Sequence, residues 1–150
     1  MIQLQQLLRA RRDLAEYAAS TANPLPFLPA VAAGQTIRAR VRYLGTAAVS
    51  GISYVTAYQQ AAEPLVQRDY LYTFQGISAD GRYYISVVFR VSPESFPTTI
   101  PTDFDYQTFL SNLPAYLSES TAQLNSAAPE SFAPALPLID DLVQSFDFAS

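Results

Sequence analysis

The chain contains no cysteine, histidine, lysine or tryptophan. Without cysteine or histidine it has no thiol nucleophile, no zinc or iron site of the usual Cys/His kind, no histidine-based triad and no imidazole pH switch. The lack of lysine removes Schiff-base and lysine-base chemistry and leaves arginine as all nine basic residues. GC-rich codon usage, which favours Arg, Ala and Pro together, accounts for that skew. Long apolar runs are also missing, since no stretch approaches the roughly 18 to 20 residues of a membrane helix. The opening segment Met1–Tyr17 does not read as a secretory signal. Its apolar stretch is short, broken by glutamine, and followed rather than preceded by positive charge. No G-x-S-x-G, Walker or G-x-G-x-x-G pattern occurs, and no cofactor is expected.

What is present suits one packed domain. A chain of 150 residues, 49% hydrophobic and 13% aromatic, can bury a core without a disulfide or metal. The strongest local signal is Tyr70–Val91, two apolar runs joined across Asp80-Gly81. Asp-Gly between alternating hydrophobics predicts a hairpin with a two-residue type I′ turn, which needs positive φ at both residues. That turn pairs Gly76 with Ile85, Phe74 with Val87, Tyr72 with Phe89 and Tyr70 with Val91 on an apolar face. The opposite face, with Ile77 by Tyr84, Gln75 by Ser86, Thr73 by Val88 and Leu71 by Arg90, is mixed and polar, as in a half-buried antiparallel sheet.

The remaining elements are placed around this hairpin. Residues 2–19 read as one amphipathic helix with Leu4, Leu7, Leu8 and Leu14 on its stripe, and Asn23–Pro29 as an extended proline-rich path whose Phe27 and Leu28 plug a core edge. Thr36–Leu44 and Gly51–Gln59 are strands, the second with Ile52, Tyr54, Thr56 and Tyr58 inward. Sequential strands with short links usually pair, so the four form a meander. After Val91 the pattern turns helical. A stripe of Tyr106, Phe109, Leu110, Leu113 and Leu117 is interrupted near Asn112 by Pro114, and Pro137–Phe148 carries Leu138, Leu142 and Phe146. The fold class is therefore α+β: a four-stranded antiparallel meander with an N-terminal helix and C-terminal helices packed on it. One domain spans 1–150, with helix and linker in 1–24, sheet in 25–91 and a helical layer in 92–150.

Charge divides unevenly along this map. All nine arginines lie before Ser92 with five carboxylates, while eight carboxylates and no basic residue follow. In the first strand Arg38, Arg40 and Arg42 alternate with Ile37, Ala39, Val41 and Tyr43, so strict period-2 geometry puts three guanidiniums on one face. They either meet the acidic helices, stand in water, or bind an anionic or protein ligand. With Gln75 and Arg90 they form the candidate ligand-binding set. An RNA-binding sheet is disfavoured, because the central aromatics fall on the face opposite these arginines and the net charge is −4. Asp103 and Asp105 are the best carboxylate pair for acid/base work, although Thr102–Asp105 also reads as a capping box at a helix start. A histidine-free hydrolase using this pair is the alternative to a non-catalytic binding module.

The runs LPFLPAVAAGQ (25–35), RYLG (42–45), GISYVTAYQQ (51–60) and YLYTFQGISADGRYYISVVF (70–89) resemble an uncharacterised domain of predicted bacterial envelope lipoproteins of Chloroflexi and cyanobacteria. The resemblance covers about Leu25 to Phe148, with YTFQG-x-x-x-DGRYY as its most distinctive motif. It implies an extracytoplasmic address, with a lipid anchor in a longer precursor, and brings no catalytic residue. A cytoplasmic address is the expectation if the chain is full-length.

Overall fold

The computed structural model describes residues 1–19 and 24–147, so Asn23 of the extended path and Phe148 of the last helix lie outside the described residues. The elements run α1 (Ile2–Ala10), α2 (Leu14–Ala19), β1 (Gly34–Gly45), β2 (Val49–Gln59), β3 (Tyr70–Ser78), β4 (Tyr84–Arg90), β5 (Ser92–Pro93), α3 (Tyr106–Ser111), α4 (Leu113–Ser126), β6 (Phe132–Ala133) and α5 (Leu136–Gln144). The four long strands form an antiparallel meander in the order β1-β2-β3-β4, as expected, and β5 with β6 makes a small second ladder. No described helix is long and apolar enough to cross a membrane.

Both faces of the sheet are covered, which makes three layers. Against one face α4 and α5 bring Leu124, Leu136, Ile139 and Val143 onto Val55, Ala57, Tyr70, Tyr72 and Phe74. Against the other, α1 and α2 bring Leu4, Leu7 and Leu14 onto Ile52, Tyr54 and Ile77. On the mixed hairpin face Thr73, Gln75 and Ile77 of β3 are interior while Ser86, Val88 and Arg90 of β4 stay exposed, and the inward set of β2 extends to Ser53, Val55 and Ala57. Thr73 and Gln75 are buried there and hydrogen-bonded to each other, the condition on which buried polar groups are tolerated.

The hairpin register is the expected one, from Leu71 with Arg90 to Ile77 with Tyr84. Its turn differs. Only Gly81 has positive φ, 74°, while Gly81 N–H donates to Ser78 O and Ser78 N–H to Tyr83 O. A four-residue loop keeps the strand parity of a two-residue one, so the pairing survives the change of turn. Asp80 braces this loop by accepting from Ser78 Oγ and Arg82 N–H.

Three expectations outside the hairpin need correction. The single helix over 2–19 is broken at Arg11, which takes φ 46° and donates its N–H to Leu7 O. Asp13 then starts α2 by accepting from Ala15 N–H, and Arg11 lies over the Tyr43 ring at 4.7 Å. In α5 the buried stripe is Leu136, Ile139 and Val143, while Leu138 is 66% exposed. Both triplets have helical spacing, and the sequence does not reveal which faces the sheet. In the proline-rich path Leu25 is the buried plug and Leu28 is exposed, although Phe27 packs on Tyr58 as an edge-on pair at 5.1 Å. The break at Asn112 stands, with Pro114 in the first turn of α4, where its missing N–H costs nothing.

Candidate functional site

The site is organised by an irregularity in β1. Ala39 pairs with Val55 and Arg42 with Ser53, so Arg40 and Val41 together face the single residue Tyr54. This is a β-bulge, and Arg40 sits in it at φ 55°. The extra residue reverses the side-chain phase. Arg38 therefore projects toward the N-terminal layer, and Arg40 and Arg42 toward the C-terminal layer, so the expected one-face stripe does not exist.

On the C-terminal side Arg40 reaches the end of α4. Its Nη1 donates to the carbonyls of Leu124, Asn125 and Ala127 at 3.1, 3.3 and 2.9 Å, and its backbone N–H donates to Asn125 Oδ1 at 2.6 Å. Burial, and then the neighbouring Arg42, push its pKa down. Arg42 pairs with Asp140 of α5, and its Nε donates to Ser53 Oγ at 3.2 Å. The Tyr72 hydroxyl donates to Asp140 Oδ1 at 2.7 Å. One arginine of the sheet thus meets one acid of the acidic half, as the charge division suggested. These groups floor a cleft of about 460 Å³ walled by Leu136, Pro137 and Pro129. Its cations are already compensated by Asp140 and by helix-end carbonyls.

Arg38 is different. It is 6% exposed, yet Nε donates to Gln35 Oε1 at 2.9 Å, Nη1 to Tyr17 O at 3.1 Å and Nη2 to Gln35 O at 3.4 Å, all neutral acceptors. Among the described residues no carboxylate forms an ion pair with it; the ion pairs are Arg42 with Asp140 and Arg82 with Asp80. Desolvation lowers its pKa. Its side chain lines two clefts. One, about 450 Å³, lies between the 24–34 loop and Tyr58; the other, about 770 Å³, runs between α2 and α4 beside β1. In the first, the Tyr58 hydroxyl accepts from Gln35 Nε2 at 3.0 Å and keeps its own O–H to donate.

The other candidates do not join this group. Gln75 is 0% exposed and fully engaged: Oε1 accepts from Leu28 N–H and Tyr84 O–H, and Nε2 donates to Thr73 Oγ1 and Ser86 Oγ. It ties β3, β4 and the proline-rich loop together and has no donor or acceptor left for a ligand. Arg90 sits on β4, at the opposite edge of the sheet from β1, and donates to Arg68 O. Asp105 is itself the cap of α3, accepting from Gln107 N–H and Thr108 Oγ1, so the cap is Asp105 rather than Thr102. Those bonds hold its carboxyl below the usual range. Neither Asp103 nor Asp105 lines the three clefts. No group of three or more acidic side chains among the described residues is placed to hold a metal ion.

The buried phenols give a pH dependence. Desolvation raises the pKa of Tyr54, Tyr70 and Tyr72 strongly and pushes Tyr84 up to about 12. An unfolded tyrosine ionises near pH 10. The folded chain holds these protons more tightly, so their stabilising contribution is full below about pH 10 and is lost as pH rises toward 12 and beyond. Denaturant midpoints should be flat from neutrality to about pH 9.5 and fall steeply above it. A fall that begins near pH 8 would contradict the burial of these phenols. The sequence alone could not separate Arg38 from its neighbours, because the bulge that sorts them falls at Arg40 and Val41, with no glycine to mark it. Set against known proteins, the chain matches no family model, and neither a curated protein nor a solved structure matches it.

Proposed function

We propose that this domain is a non-catalytic binding module of the bacterial cell envelope, and that it captures the carboxylate or phosphate group of a ligand at Arg38. The observation that carries the reading is a guanidinium 6% exposed and, among the described residues, without a carboxylate in an ion pair with it. Burying a charge is costly unless it is paired, and an arriving anion supplies the missing partner. Arg38 lies between two clefts, and the Tyr58 hydroxyl adds a second donor in one of them. Arginine offers five donors in a planar fork suited to such groups, and three of its nitrogen atoms each give one bond within the fold. The envelope address is supported by the resemblance of the YTFQG-x-x-x-DGRYY segment to lipoprotein domains.

Thermal unfolding in phosphate or acetate, with ionic strength held constant by chloride, tests the site. A gain in stability that grows with the logarithm of anion concentration above Kd is expected, reaching about 2.7 kcal/mol at a hundredfold excess over Kd. Arg38→Gln should abolish the gain and Arg42→Gln should keep it. Equal responses from the two variants would remove Arg38 as the site.

A further inference from the structure

The sheet has two edges, and they are built differently. β1 is blunted: its ladder shifts register at two places, Arg40 takes positive φ, and the Arg40 N–H is occupied by the side chain of Asn125. Bulges and covering helices of this kind keep a sheet edge from pairing with another chain. β4 has none of these devices. It runs in unbroken register from Tyr84 to Arg90, contains no proline, and among the described residues has β3 as its one neighbour in the sheet. Val88 is 41% exposed, and Ile85, Val87 and Phe89 are only half-buried at the rim of the C-terminal core.

From this contrast we infer that β4 pairs antiparallel with β4 of a second copy of this chain, Val87 facing Val87 across a two-fold axis. The sequence of the strand is complementary to itself in that register and overlaps along its whole length. On the face toward the C-terminal core, Ile85 meets Phe89 and Val87 meets Val87, so the apolar layer continues through the joint. On the other face Tyr84 meets Arg90, an aromatic ring beside a cation, and Ser86 meets Val88. No like charges are opposed. Sliding the pair by two residues toward the turn would set Arg82 against Arg90, so charge selects the full overlap over its neighbour. The two copies then share one eight-stranded sheet with both Arg38 clefts at its outer ends, far from the joint.

The absence of native cysteine makes the test clean, because an introduced thiol has only its own copy as partner. Directly opposed strand residues have Cα atoms roughly 4.5 to 5.5 Å apart, within disulfide reach. Val87→Cys should therefore cross-link to itself under mild oxidation, while Val88→Cys, which faces residue 86 of the other copy, should not. Sedimentation of the unmodified chain should show a dimer, and Val88→Lys, a change at an exposed position, should weaken it by at least about tenfold, because the two introduced lysines lie diagonally across the joint and repel each other. Far-UV circular dichroism checks that each variant is folded. A monomer at the highest soluble concentration overturns the inference, and so does a dimer that Val88→Lys leaves intact. A dimer in which Val88→Cys cross-links and folded Val87→Cys does not overturns the register.

Discussion

Gly51→Val is expected to destabilise the domain by at least about 3 kcal/mol, beyond the ordinary cost of overpacking a core. Gly51 and Gly76 face each other across β2 and β3, and the Phe74 ring lies over both. A Cβ at Gly51 would sit 2.6 Å from two atoms of that ring and closer still to the carbonyl oxygen of Gln75. At Gly76 its three nearest contacts would all be side-chain atoms, two of the Phe74 ring from 2.6 Å and Val49 Cγ1 at 2.9 Å. The two positions should therefore respond differently to a second change. Phe74→Leu should recover much of the loss from Gly76→Ala, because a side chain can be replaced. It should recover little of the loss from Gly51→Ala, because the carbonyl remains. Urea unfolding of the three single and two double variants completes two double-mutant cycles, and equal coupling in both would show that the carbonyl contact is not limiting.

The same glycines mark where sequence reasoning reaches its limit. The meander of the four long strands and the hairpin register follow from local rules, namely Asp-Gly at a turn, short links between neighbours and the period-2 alternation that holds in β3 and β4. The role of Gly76 does not follow, since it depends on where a ring two residues away comes to rest against another strand. Helix phase in α5 fails for a related reason. Leu138 and Leu142 are as well spaced as Ile139 and Val143, and only the docked sheet distinguishes them. The candidate arginines were visible as a cluster, but their sorting was not. A bulge at a non-glycine residue breaks alternation without altering composition, and it is held by Asn125, 85 residues away in sequence.

Arg40→Ala is expected to cost about 2 to 3 kcal/mol, the range for losing hydrogen bonds from a charged group. A solvated, ligand-facing arginine would change stability by no more than about 0.5 kcal/mol. The larger value is expected because one guanidinium nitrogen bonds three carbonyls at the end of α4, where positive charge also meets the negative end of the helix dipole. Removing it leaves those acceptors to whatever water can reach them. The backbone gives a second, opposite contribution, because Arg40 holds φ 55°, a region that favours glycine. Arg40→Gly should therefore be the milder substitution by about 1 kcal/mol, although it deletes more of the side chain. Asn125→Ala, which frees the Arg40 N–H, should be destabilising and should couple to either change rather than add to it. Chemical denaturation of these variants separates the contributions. If Arg40→Gly is no better than Arg40→Ala, the strained bulge is not what positions the arginines; if both are neutral, Arg40 does not fasten α4 to the sheet.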